Sequence, residues 1–191
     1  MARISLDPPR TPLYRLTEWY SRRRFGAVAA PAAAMAHNPR VLVSNARHEV
    51  SLEKWRALDP TLKDLAVMAA AVTVGCSWCV DFGYWISTSK GVDPAKLRAV
   101  PQWRDSGLFS DTERAVLAYA EAVSATPPAV TDAMVADLRE RLDDAALVEL
   151  TMMIAVENER SRFNSALGLT SQGFSDRCAV PAPTIRLAAS S

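Results

Sequence analysis

The sequence predicts an all-α fold, a bundle of about eight helices in a single domain spanning residues 1–191. Three observations lead there. Apolar residues recur at a spacing near 3.6, as at Leu62, Leu65, Ala66, Met68, Ala69 and Val72. Helix-start signals repeat along the chain, a polar cap followed by proline at Thr11-Pro12, Asn38-Pro39, Asp59-Pro60 and Asp93-Pro94. No convincing strand appears: the best run, Val41-Leu42-Val43, is short and follows a helix-start signal. Only seven glycines and an abundance of alanine argue the same way.

Each element has its own justification. Thr11 and Pro12 open a helix to about Arg24, with Leu13, Leu16, Trp19 and Tyr20 as its apolar stripe and Arg22, Arg23 and Arg24 in the last turn, where cations suit the helix dipole. Residues 28–37 are Ala-rich and predict a short helix. Asn38-Pro39 starts another to about Val50, and residues 51–58 connect it to a strong helix over about 61–74. Gly75 ends that helix, and the next begins at Cys76 and runs to about Lys90, closed by Gly91. Asp93-Pro94 starts a short helix to Val100, followed by a loop over 101–109. Ser110 and Glu113 form a capping-box pattern before a helix that stops ahead of Pro127-Pro128. Thr131 caps a helix over 132–142, and Asp143 starts a long one over 144–167, closed by Gly168. Residues 169–191 read as a tail or an arm.

Composition narrows the function. Twenty-two basic and twenty-one acidic residues leave a net charge of +1, which gives no electrostatic footprint for nucleic acid. The N-terminus lacks a secretory apolar core, and the longest apolar stretch, residues 65–80, is interrupted by Thr73, Gly75 and Ser77 and is too short to span a bilayer. The expectation is a cytoplasmic chain with neither nucleic acid nor membrane as partner. There thiols stay reduced, and a close cysteine pair is more often catalytic or metal-binding than a structural staple.

The chain has three cysteines and two histidines, and Cys76 and Cys79 form a Cys-x-x-Cys pair at the start of a helix directly after Gly75. Unpaired N–H groups at a helix start favour a thiolate, so the expected chemistry is attack by one thiolate on an oxidant or disulfide and resolution by the second thiol. The motif leaves open which cysteine attacks. A zinc site would need two more soft ligands from Cys178, His37 and His48, none with paired spacing, so no metal and no organic cofactor is expected. Burial of both cysteines as plain core residues is the competing reading.

In this setting the chain resembles the carboxymuconolactone decarboxylase superfamily, in particular its alkylhydroperoxidase D-like branch. The resemblance rests on Leu62-Lys63-Asp64-Leu65-Ala66-Val67 leading into Gly75-Cys76 and Cys79, on Gly91-Val92-Asp93, and on the later helices with Glu149-Leu150-Thr151 and Arg162-Phe163-Asn164-Ser165-Ala166-Leu167-Gly168. It covers about residues 38–168. It implies an all-α fold that assembles into trimers or hexamers. It also implies a peroxidase or disulfide reductase run by the two cysteines, with a hydroperoxide or disulfide as substrate and a thiol as electron donor. A proton relay is implied too: a Glu twelve residues before the first Cys, a His just before the second Cys, and a His four residues after it. Those positions hold Asp64, Trp78 and Gly83, so Asp64 carries over on a shorter arm and no histidine does.

The expected catalytic residues are therefore Cys76, Cys79 and Asp64. His48, Asp81 and Glu157 are auxiliary candidates: His48 if the fold brings it to the pair, Asp81 by its nearness in sequence, and Glu157 as either a packing partner of Arg160 or a carboxylate facing the thiols. The space left by Gly83 is expected to admit a substrate or a water. A lyase acting on a small lactone or carboxylate, and a non-catalytic oligomeric binding protein of the same fold, are the alternatives.

Overall fold

The structure, a computed structural model, describes residues 1–178. Among them are nine α-helices and no strand: α1 (Pro12–Phe25), α2 (Ala30–Met35), α3 (Pro39–Leu52), α4 (Pro60–Val74), α5 (Ser77–Ser89), α6 (Pro94–Ala99), α7 (Asp111–Ser124), α8 (Asp132–Arg139) and α9 (Asp144–Ala166). The expected loop after α6 is instead a 3-10 helix over Val100–Asp105, and a second 3-10 helix covers Ser175–Arg177. The run Val41-Leu42-Val43 lies inside α3.

The predicted caps do the work expected of them. The side chains of Thr11, Asn38, Asp59, Asp93 and Thr131 accept from the first-turn N–H groups of their helices, and Pro follows the cap in four of the five. Ser110 and Glu113 form a complete capping box. Asp143 accepts from the Ala146 N–H at 2.7 Å and starts α9.

The chain divides into two compact units. The first holds residues 1–55 with 166–169. Tyr14, Ala33, Ala36 and Leu42 form its small core, and the Arg3 N–H donates to the Leu167 carbonyl at 2.7 Å. The second unit holds 56–165 and, of the described residues, 170–178. Its centre is α4, which is buried along most of its length and packs against both α5 and α7. Two buried polar links tie α9 into this unit. The Tyr119 hydroxyl of α7 meets Thr151 Oγ1 at 3.0 Å, and Glu149 takes Lys63 of α4 and the Ala57 N–H together.

Glu149 shows how such a link is held. Burial acts to raise its carboxyl, but Lys63 and the N–H groups of Ala57 and Leu58 together hold it below the usual carboxylate range. Removing the carboxylate breaks a largely buried ion pair and takes the acceptor from the Ala57 N–H. Glu149→Ala should therefore cost about 3–5 kcal/mol. Urea denaturation checks this, and a loss within error of zero would show that Lys63 finds another partner.

Candidate active site

The thiol pair is placed by backbone geometry. α4 ends in a Schellman turn: Gly75 has φ +79°, its N–H donates to the Val72 carbonyl, and the Cys76 N–H donates to the Ala71 carbonyl at 3.0 Å. Only glycine takes that left-handed conformation without strain. The turn delivers Cys76 straight to the N-cap of α5, where its sulfur accepts from the Cys79 N–H at 3.3 Å. The two Sγ atoms lie 2.7 Å apart as free thiols, and both residues are buried.

The two sulfurs differ electrostatically. A hydrogen bond from the Cys79 thiol lowers the Cys76 pKa, the Cys79 N–H adds to this, and burial and Glu157 oppose it. Cys79 moves the other way: its bond to Cys76, its burial and the nearby Glu157 all raise it. Of the two sulfurs, Cys76 is therefore the one whose thiolate the site favours, and Cys79 the one that keeps its proton more tightly.

The wall facing them comes from α9. Glu157, Ser161 and Asn164 stand at i, i+4 and i+7, and each is almost wholly buried, at 3%, 0% and 1% exposure. Asn164 Nδ2 lies 3.2 Å from Cys79 Sγ and 3.9 Å from Cys76 Sγ. Ser161 Oγ donates to Glu157 Oε1 at 2.9 Å and is within hydrogen-bond reach of both thiols. Glu157 also reaches the Cys79 thiol, and Arg160 Nη1 sits 3.3 Å from its Oε2. Burial raises the Glu157 carboxyl, against the pull of Arg160 and the hydrogen bonds. Both readings of Glu157 hold together: it pairs with Arg160 and it faces the thiols.

Asp64 and Asp81 are engaged by other partners. Asp64 binds Lys90 Nζ at 2.9 Å, at the far end of α5 from the thiols. Ten residues of α4, about 15 Å of helix, separate it from Val74. Gly83 faces α4: a Cβ there would make an ordinary van der Waals contact with Met68 Cε at 3.7 Å. Both histidines, His37 and His48, belong to the first unit, whereas the thiols belong to the second. Asp81 serves the segment that follows α9. Its carboxylate accepts from the N–H groups of Gln172, Phe174 and Ser175 at 2.8–3.1 Å. Residues 170–178 are therefore a strap fastened on α5, with the Trp78 indole donating to Gln172 Oε1 and Phe174 fully buried against Phe82 and Trp85. The rest of the expected tail, 179–191, lies outside the described residues.

Sequence reading missed Ser161 and Asn164 because polar residues on a long helix read as solvent-facing. A signal was present. Positions 150, 154, 157, 161 and 164 continue one 4-3-4-3 stripe that begins with Leu150 and Ile154 and then turns polar while staying buried.

Comparison with known proteins bears on this geometry. The profile described as "Carboxymuconolactone decarboxylase family" matches residues 44–122. The uncharacterized protein YnjA of Escherichia coli (strain K12) is 37% identical over 170 residues, covering 88% of this chain and 92% of YnjA. The chain belongs to the carboxymuconolactone decarboxylase family. Among solved structures, the debrominase Bmp8 in complex with 2,3,4-tribromopyrrole superposes with a TM-score of 0.79 at 20% identity, covering 91% of this chain and 95% of that one. The alkylhydroperoxidase AhpD core structure of an uncharacterized peroxidase-related protein from Ralstonia eutropha JMP134 gives a TM-score of 0.74 at 19% identity, covering 94% and 97%. This family member thus has the all-α fold of alkylhydroperoxidase D-like structures. No helix of the described residues is long and apolar enough to cross a membrane.

The strap gives a pH-dependent prediction. Burial acts to raise the Asp81 carboxyl, but the Ser175 and Phe174 donors hold it below its ordinary value. A carboxyl depressed on folding adds stability above its unfolded pKa, near 3.9, and that stability is lost as pH falls through the folded value. The wild type should lose more stability than Asp81→Asn as pH falls below about 5, by up to about 1 kcal/mol at pH 3 and by more as pH falls further. Urea midpoints across that range measure it. Identical losses in the two proteins would mean that Asp81 does not hold the strap as a carboxylate.

Proposed function

We propose that this protein is a thiol-dependent oxidoreductase in which Cys76 and Cys79 cycle between dithiol and disulfide, with a hydroperoxide as oxidant and a small or protein thiol as reductant, acting in the cytoplasm. The observation that carries the reading is the adjacency of the two sulfurs, 2.7 Å apart, with Cys76 capped by a helix N–H and Cys79 left as its thiol partner. Cys76 is the attacking group. Its thiolate displaces alkoxide from the outer oxygen of the hydroperoxide, forming an S–O bond as the O–O bond breaks, and solvent protonates the alkoxide. Cys79 then displaces the sulfenic oxygen as water and closes the disulfide. Two electrons pass from the pair to the peroxide, and two thiols of the reductant restore the pair.

Asn164 favours a hydroperoxide over a disulfide as the oxidant. Its Oδ1 is buried beside the thiols with no hydrogen-bond partner among the described residues. A hydroperoxide brings an O–H to satisfy that acceptor, whereas a disulfide has no donor. The lyase alternative has less support, since the chain holds only two histidines and neither stands beside the pair in sequence.

The test is peroxide consumption with a thiol reductant in excess. Cys76→Ser and Cys79→Ser should each fall to the uncatalysed background, with the wild type reducing cumene hydroperoxide at the expense of dithiothreitol. Turnover that survives in both variants would sink the reading.

A further inference from the structure

We propose that Glu157 is the acid–base group of this dithiol pair, accepting the Cys79 proton as the disulfide closes and returning it to the departing oxygen, with Ser161 and Asn164 as its positioning residues. The inference rests on the dithiol reading above and adds what that reading lacks, a group that moves protons.

The need is chemical. Cys79 must lose its proton before its sulfur can attack the sulfenic acid on Cys76, and the oxygen that leaves must gain one. A thiol whose pKa is raised does neither unaided at neutral pH. Neither flank of the motif supplies an imidazole: Trp78 donates to Gln172, Gly83 faces Met68, and Asp64 is held by Lys90. Glu157 is the carboxylate within reach of the Cys79 thiol.

Its setting suits the task. Glu157 is 3% exposed, so no bulk water competes for the proton. Burial raises its carboxyl above the ordinary carboxylate value, which strengthens it as a proton acceptor when ionised. Arg160 at 3.3 Å keeps the ionised form available. Ser161 Oγ fixes Oε1 at 2.9 Å and also reaches the sulfurs, so it orients the carboxylate toward the pair. Asn164 Nδ2 at 3.2 Å fixes the Cys79 sulfur and favours the thiolate formed when the proton leaves.

The step balances. The Cys79 S–H proton passes to a Glu157 oxygen, and the freed electron pair forms the S–S bond. The S–O bond of the Cys76 sulfenic acid breaks with its pair on oxygen. The Glu157 proton joins that oxygen to give water. Glu157 ends ionised, as it began.

Burial of a charged residue beside packed thiols has a structural explanation too, so the test must isolate the proton step. Glu157→Gln keeps shape and hydrogen bonds but cannot take a proton. It should retain or speed the single-turnover attack on cumene hydroperoxide, since Glu157 opposes the Cys76 thiolate, and slow disulfide closure about 10²-fold, the usual scale for a general base. The stalled species should appear as a dimedone adduct on Cys76 by peptide mass spectrometry, absent from the wild type. The acid limb of the closure rate should vanish in Glu157→Gln and reappear in Glu157→Asp. Ser161→Ala removes a single oxygen, keeps the fold testable should the Gln variant misfold, and should shift that limb. Wild-type closure rates across about pH 5–9 in a folded Glu157→Gln or in Ser161→Ala would overturn the proposal. Failure of the underlying reading looks different, with peroxide consumption surviving in the cysteine variants and no dimedone adduct at Cys76 in any protein.

Discussion

A cysteine sulfur takes the capping position of α5, and everything distinctive about the site follows from that. The first N–H groups of a helix lack partners within it and carry partial positive charge. Serine or aspartate would normally satisfy them; here Cys76 does, and the same contact that starts the helix favours its thiolate. The Schellman turn at Gly75 leaves no linker between α4 and this cap, so the sulfur has little freedom to move away. One helical turn then sets Cys79 beside it.

Around this fixed point the unit separates mechanical from chemical carboxylates. Asp64 and Asp81 are each saturated by a cation or by backbone donors, and they fasten the far end of α5 and the strap. Glu149 ties α4 to α9 in the same manner. Glu157 instead faces the Cys76–Cys79 pair.

Most of the fold was legible because its punctuation is strong. A polar cap before proline marked four helix starts within a residue, and Gly75, Gly91 and Gly168 marked ends. The 3-10 helix at Val100–Asp105 was not, since Trp103 and Pro101 show no period long enough to read. The strap was hidden by its polar composition. Its order comes from Asp81, whose acceptors are spent on backbone N–H groups that no side-chain pattern reveals. At the site, Cys76 and Cys79 were evident from spacing and Glu157 was in view, but the relay position at Asp64 was inherited by likeness. In this chain Lys90 claims that carboxylate, a contact between residues 26 apart that only the folded hairpin brings about.

The polar stripe on α9 also sets a limit on how stable this protein can become. Glu157, Ser161 and Asn164 occupy buried register positions where apolar residues of matching size would forfeit no hydration. Selection for a more robust core would push these three positions toward aliphatic residues, and each such change would remove a group that faces the thiols. A relative with Leu or Ile along this stripe and an intact Cys-x-x-Cys would be a scaffold that has traded reactivity for durability.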